Sequence, residues 1–277
     1  MFPSRRPESV YVWNQLVGPF RHRALIRILA WRDISGRYRG SLLGSGWSLL
    51  TPLLMLAVFT FVFGVVAPTR WPGVEQEGMG MFALRLLAGM VVHGLLSEVV
   101  QRAPSLVTGQ PNYVTKIVFP LEALGWVALL TGLFHTVMAL LVLILLNAFL
   151  GTGVSPALLA LPLILLPYAL LLLGLAWLLA ALGVYLRDLA QVVGPVVMAS
   201  MFLGPVFYPR DAMPASIQPL LALNPITVPI EQTRRVVFEG LWPQWGALAQ
   251  YSLAAVAVYL FGLWAFGRLK KGFADVI

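Results

Sequence analysis

The stretch WRDISGRYRGSLLGSGWSLLTPLLMLAVFTFVFGVV, from Trp31 to Val66, decides how the rest of the chain is read. Arg32, Asp33, Arg37 and Arg39 crowd its start, and no ionisable side chain follows between Gly40 and Ala67. A helix rises about 1.5 Å per residue, so residues 42–66 reach roughly 37 Å, enough to cross a hydrocarbon core of about 30 Å. Arg37 and Arg39 therefore mark a membrane surface. Trp47 stands where an interfacial aromatic anchor belongs.

Composition agrees. Of 277 residues, 59% are hydrophobic and 11% charged, whereas a soluble domain is about 45–50% apolar and about 25% charged. The expected fold class is an all-α membrane protein, one continuous helical transmembrane domain over residues 1–277. The chain has no cysteine, which excludes disulfides and thiolate metal sites. The first 20 residues carry Arg5, Arg6 and Glu8 without an apolar core, so no cleaved targeting segment is expected.

Working outward, residues 20–39 are expected to form an amphipathic interface helix. Ala24, Leu25, Ile28 and Leu29 lie on one side and Arg23, Arg27 and Arg37 on the other, with Arg32 intruding on the apolar side. A cytosolic packing helix is the competing reading of the same pattern. Six spans are expected, at about 42–66, 81–100, 123–150, 158–186, 189–208 and 247–266, with Pro52 able to kink the first. Gly40 and Gly44, four apart at the mouth of the first span, suit either a close helix contact or a breaking turn. Pro214, Pro219, Pro225 and Pro229 cut residues 209–240 into pieces too short to cross, as re-entrant or interfacial helices would be.

Six spans put both termini on one side. Fourteen lysines and arginines fall on that side, against Arg70, Arg210, Arg234 and Arg235 on the other. The imbalance places the termini in the cytoplasm. It also accounts for the net charge of +8 as a topology signal and not as a nucleic-acid footprint.

Catalytic chemistry is missing. There is no G-x-x-x-x-G-K-[ST] loop to cradle ATP phosphates. No span carries paired carboxylates, a Ser–His–Asp set or a metal cluster, so the metal and catalytic residue sets are both empty. The few ionisable residues within spans read as structural. Arg85 snorkels to an interface, His93 and His135 pack, Glu98 and Glu122 flank a polar loop, and Asn147 bonds between helices. Met55, Phe59 and Phe63 share a helix face, and Phe202, Phe207 and Tyr208 cluster at the end of the fifth span. Aromatic faces pack against the C–H faces of sugars while leaving hydroxyls free, which suits a sliding glycan. Lipid-facing or core aromatics are the alternative.

The order of motifs carries a resemblance. W-R-D-x-x-x-R-Y-R-x-S-x-L-G-x-x-W-x-L-L-x-P runs from Trp31 to Pro52, and F-T-F-V-F-G from Phe59 to Gly64. P-N-Y-V-x-K-x-V-F-P-L-E follows at Pro111–Glu122, then Y-L-R-D at Tyr185–Asp188, G-P-V-F-Y-P at Gly204–Pro209 and L-N-P-I at Leu223–Ile226, before the closing G-F-A-D-V-I. Over nearly its whole length the chain resembles the membrane subunits of polysaccharide ABC exporters, the permeases for O-antigen, teichoic acid and capsule. Its first span looks closer to the O-antigen and teichoic-acid members than to the capsule members.

The resemblance implies a homodimer in the inner (plasma) membrane, paired with two ATPase subunits that hold the ATP and magnesium. The permease itself then needs no cofactor. The implied substrate is a lipid-linked polysaccharide, moved outward from the cytoplasmic side among membrane lipids. By position, Trp31, Arg32, Asp33, Arg37, Tyr38 and Arg39 belong to the interface helix and the loop leading into the first span. Asn112, Tyr113, Lys116 and Phe119 belong to the coupling helix that receives the ATPase stroke. Pro214, Asn224, Pro225, Glu231 and Arg234 belong to an external gate, and Phe59, Phe63, Phe202, Phe207 and Tyr208 to an aromatic channel lining. A small-molecule ABC permease and an intramembrane glycosyltransferase are the competing classes. The outer loop's Glu75 and Glu77 are the glycosyltransferase's only acidic support.

Without a phosphate-binding loop, the purified chain alone should show no ATP turnover. An ATPase assay before and after removal of contaminating ATPases checks this, and surviving turnover would defeat it.

Overall fold

A computed structural model of the chain describes residues 22–62, 66, 78–115 and 119–277. Phe63, Arg70, Glu75, Glu77 and Lys116 lie outside the described residues. Those described are helical, without a strand among them.

Helix α1 (Arg23–Tyr38) is followed by a tight break. Gly40 and Gly44 adopt φ of 82° and 53°, the left-handed region that L side chains rarely enter. A 3-10 turn at Gly44–Gly46 then leads into α2 (Trp47–Phe61), with Pro52 inside it. Within the chain, nothing lies within 4 Å of a Cβ built on either glycine, so the pair serves the turn.

Next come α3 (Met79–Arg102), the short α4 (Pro111–Thr115), α5 (Ala123–Leu150) and α6 (Leu161–Tyr185). After them stand α7 (Leu189–Phe202), α8 (Gln218–Leu223), α9 (Thr227–Phe238), α10 (Trp245–Leu269) and α11 (Phe273–Val276). Ser155 opens the 3-10 turn Pro156–Ala160 that enters α6, its hydroxyl accepting from the Ala157 amide.

Five helical stretches among the described residues are long and apolar enough to cross a membrane: Gly44–Phe61, Gly80–Ser105, Ala123–Leu150, Pro156–Tyr185 and Trp245–Val276. The expected fifth span is shorter than its hydropathy suggested. Helix α7 has 14 residues, roughly 21 Å of rise, and stops at Phe202 because Gly204 and Pro205 end the ladder. Residues 209–240 are cut as their prolines imply, into the turn Arg210–Ala212, α8 and α9.

The core lies where α3, α5, α6 and α10 meet, around the fully buried Tyr168 and Trp177. Both polar tips are satisfied. The Tyr168 hydroxyl donates to the Val92 carbonyl at 2.9 Å, and the Trp177 indole N–H to the Glu122 carbonyl at 3.0 Å. Helix α2 is the outlier, with Ser48 its one buried residue.

Helices α6 and α10 touch backbone to backbone. A Cβ on Gly262 would sit 2.0 Å from the Gly174 carbonyl oxygen, and one on Gly174 would sit 2.5 Å from the Val258 carbonyl oxygen. Small residues permit this approach between helices that have little hydrophobic reason to associate in lipid. Gly262→Val should therefore cost at least about 2 kcal/mol by forcing the backbones apart. Gly80→Ala, which meets open space, should change little. Thermal unfolding midpoints of both variants in detergent check the contrast.

Candidate functional site

Helix α1 does not bury the face its hydropathy favours. Ile26, Leu29, Ala30 and Ile34 are buried, and Ile28 is exposed. Ile26, Leu29 and Ala30 pack on Ala123 and Val127 at the start of α5. The contacts then advance along both helices together. Asp33 accepts from the Thr131 hydroxyl at 3.0 Å, and an Arg37 nitrogen lies 3.3 Å from Nδ1 of His135. Helices α1 and α5 thus run side by side in the same direction. The docking partner, not the sequence period, chose the face.

Two carboxylates fasten this arrangement. Asp33 takes the Arg102 guanidinium at 2.8 Å as well as Thr131. Glu98 takes Arg37 at 2.9 Å and His135 Nδ1 at 2.8 Å. A carboxylate accepts only, so His135 donates through Nδ1. Its buried Nε2 finds no partner among the described residues, so the ring is oriented through Nδ1. The Tyr38 ring meets His135 edge-on at 5.9 Å. Glu98 and His135, read from the sequence as a loop-flanking acid and a packing residue, are joined here by 61-residue and 37-residue reaches to Arg37 and to each other.

The same end holds α4. Arg32 donates to the Tyr113 hydroxyl at 3.4 Å, and Tyr113 stacks on Phe119 with ring centroids 4.2 Å apart. Asn112 is exposed, whereas Tyr113 and Phe119 are half-buried against the core. Trp31 and Arg39 are exposed. The Lys270 ammonium bonds both Glu122 oxygens at 2.9 and 3.0 Å.

Above the Glu98 cluster lies a cavity of about 360 Å³ between α2, α3 and α5. Arg37, Tyr38, Glu98 and His135 line its polar end, and Pro52, Met55, Leu87, Val91 and Ala139 its apolar walls. A second cavity, of about 550 Å³, opens between α1, α4 and α5 around Arg32, Asp33, Arg102 and Tyr113.

The aromatic residues form a chain. Phe59 tilts on Phe207 at 6.2 Å, and Phe207 stacks on Phe202 at 5.5 Å. The Tyr208 hydroxyl donates to the Phe202 carbonyl. Phe59 and Phe207 also pack against the buried Phe82 and Leu86, while Phe202 is half exposed.

At the opposite end, Arg234 is 5% exposed. Its Nε and Nη2 donate to the Arg85 carbonyl at 3.1 and 2.9 Å, Nη2 also to the Val206 carbonyl at 2.7 Å, and Nη1 to the Pro205 carbonyl. Arg85, expected to snorkel, is instead buried, with its guanidinium 5.3 Å from the Phe238 ring centre. The Asn224 amide donates to the Ser200 carbonyl at 2.8 Å, and Tyr251 to the Pro225 carbonyl at 2.9 Å. Burial pushes the Glu231 carboxyl above the usual carboxylate range, with Arg210 opposing. Pro214 is exposed. His93 bonds the Val197 carbonyl at 3.0 Å, and Asn147 donates across to Val237 at 3.0 Å, the helix-to-helix bond expected of it. Among the described residues no three His, Asp or Glu side chains gather to hold a metal ion.

A bundle of spanning helices with an ion-paired basic end and a lateral amphipathic cavity is a multi-span membrane protein of the transporter kind. Comparison with known proteins gives the family. Residues 24–238 match the ABC-2 type transporter family, and the chain belongs to it. It is similar to the O-antigen export system permease protein RfbA of Myxococcus xanthus, with 29% identity over 266 residues, 93% of this chain and 97% of that protein. A permease of the same name from Klebsiella pneumoniae is 22% identical over 258 residues, 91% of this chain and 95% of its own length.

Arg234 is the residue whose loss should hurt this arrangement most. Arg234→Leu strands the carbonyls of Pro205 and Val206, at about 1–3 kcal/mol for each buried group left unpaired, and also removes the tie to the Arg85 carbonyl of α3. Its unfolding midpoint in detergent should fall well below that of Arg234→Lys, which keeps part of the set.

Proposed function

We propose that this chain is the membrane-spanning subunit of an ABC exporter that moves a lipid-linked polysaccharide of the O-antigen type outward from the cytoplasmic side. The observation that carries the reading is similarity to O-antigen export permeases over more than nine-tenths of the chain and of those proteins. ATP hydrolysis is supplied by two separate ATPase subunits, with α4 as the coupling helix and Asn112 as its exposed contact. The permease sits in the inner (plasma) membrane as a multi-pass protein with both termini in the cytoplasm, and the excess of basic residues on that side supports the orientation.

It works as a homodimer. Helix α2 exposes Leu49, Leu53, Leu54, Met55, Val58 and Phe61, and α7 exposes Val192, Val196, Met198 and Phe202. Two such faces suit a second copy as well as lipid. In this reading α7 completes a sixth crossing with residues 203–208, and α8 and α9 are re-entrant helices of the external gate. Phe59, Phe202 and Phe207 form a continuous aromatic tract. Weak, repeated contacts of that kind let a long glycan slide, where strong fixed sites would stop it.

Co-purification with its ATPase into vesicles tests the proposal. Hydrolysis should rise severalfold with polysaccharide-linked polyprenyl lipid and stay flat with small apolar drugs. A response to drugs alone would make this a small-molecule permease.

A further inference from the structure

The cavity of about 550 Å³ around Arg32 shares only Arg37 with the cavity beneath α2. Part of its lining is cationic: Arg32 and Arg37 of α1 and Arg102 at the end of α3, with Asp33 among them. Another part is apolar and buried: Leu29 of α1 and Leu124, Val127 and Ala128 of α5. A cavity of this size falls within the range of ordinary ligand sites, about 300–1,000 Å³. Arg32, Gly36 and Gln110 at its edge are exposed. A Cβ built on Gly36 would meet nothing within 4 Å, so α1 presents a gap there and not a packing contact.

The charges do not cancel. Glu98 answers Arg37 at 2.9 Å, and Asp33 answers Arg102 at 2.8 Å. Arg32 pairs with no carboxylate among the described residues; its bond there is to a neutral group, the Tyr113 hydroxyl at 3.4 Å. Three guanidiniums against two carboxylates leave one positive charge at the cavity. A guanidinium is weakly hydrated, and its fork of N–H groups matches phosphate oxygens. Arg102 meets Asp33 through Nη2 and has further donors to offer. Basic pockets between spanning helices at the cytoplasmic side are where anionic lipid headgroups lodge. Here such a pocket adjoins buried apolar side chains, as a phosphate attached to acyl chains requires.

We propose that this cavity is a resident-lipid site. It holds the phosphodiester of one singly charged phospholipid, with Arg32 and Arg102 on the phosphate oxygens and the first acyl carbons against Leu124 and Val127. The charge favours this ligand over the headgroup of an exported lipid, since a diphosphate carries more negative charge than the one excess cation answers. Position favours it too. The cavity's lining includes none of Phe59, Phe202 and Phe207, along which a moving glycan would pass. The headgroup closes the junction between α1 and α4, which the protein itself bridges there by the 3.4 Å bond. The site depends on α1 lying at the membrane surface and not on what the chain exports.

Native mass spectrometry of the purified full chain tests the site by counting retained lipid after exchange into detergent with phosphatidylglycerol or phosphatidylcholine at equal concentration. The wild type should retain phosphatidylglycerol over phosphatidylcholine by about fivefold, the weight of one basic residue beside an anionic headgroup. Arg32→Gln should bring the ratio close to one, and Arg32→Lys should keep most of it. Gly36→Leu fills the cavity without touching a charge and should lose both lipids. Arg32 is exposed and Gly36 faces open space, so the unfolding midpoints of these variants should stay at the wild-type value and separate lost binding from lost folding. Equal retention of the two lipids by the wild type, or a preference that survives both Arg32→Gln and Gly36→Leu, would overturn the site. Displacement of phosphatidylglycerol by an equal concentration of polyprenyl diphosphate would make the cavity a stop for the exported lipid, and displacement by inorganic phosphate a free-anion site; either result overturns the resident phospholipid. No readout involves export, so a complex that moves drugs and no glycan would overturn the proposed function and leave this site standing.

Discussion

The fold depends on satisfying backbone groups where helices stop inside a medium that offers no water. Each carbonyl left unpaired in hydrocarbon costs several kcal/mol. Helix α7 ends at Phe202, and the next helical turn begins at Arg210. The carbonyls of Pro205 and Val206 fall in that gap, and the Arg234 guanidinium meets both. It has five donors in one rigid plane and no acceptor, so it suits a nest of carbonyls better than any other side chain. Because it also takes the Arg85 carbonyl, it ties α9 and the α7 exit to the first third of α3. Asn147 does the same at the α5–α6 turn, with the carbonyls of Gly153 and Val237, and Tyr251 closes the proline break at Pro225. The irregular backbone is held by a handful of long polar side chains, each doing for a chain break what a ladder does inside a helix.

This explains which parts of the molecule were legible in the sequence. Spans are set by length and polarity, both additive along the chain, so α5 begins and ends at the residues its hydropathy indicates, Ala123 and Leu150. Helices α3, α6 and α10 fall within a few residues of expectation. The shortening of α7 is local and physical. Residues 203–208 are apolar enough for a span, but Gly204 and Pro205 cannot continue its helix. The buried face of α1 was not legible, because its apolar residues spread over two faces and the choice between them is made by Ala123 and Val127, nearly a hundred residues away.

The ion pairs were even less accessible. Arg37, Glu98 and His135 were each visible as an oddity near a span, yet nothing local in the chain says that they meet. A charge near hydrocarbon is rarely left alone, and pairing Glu98 with a cation from the other side of a loop would have been a sound guess. Arg234 is a different case. Its place in a proline-cut segment suggested a gate residue, and its geometry adds the part of a buried staple. Nothing prevents a gate from being built on such a staple, but its first duty is to the backbone.

The two carboxylates on α1's path do not hold it equally. Attraction between charges grows as water is excluded, and a well-exposed pair contributes only about 0–1 kcal/mol. Glu98 is shielded more than Asp33, and both more than the Arg37 side chain that reaches out to meet them. The grip on α1 is therefore weakest at the 3.4 Å bond to Tyr113 and firmer at the two carboxylates, 2.8 Å at Asp33 and 2.9 Å at the better shielded Glu98. Near its other end, among the described residues, α1 packs by apolar contact through Ile26, Leu29 and Ala30. Apolar contact is non-directional and tolerates sliding, whereas a shared carboxylate does not. The helix is thus packed without direction near its start and fixed in register near its end, where the glycine break joins it to α2.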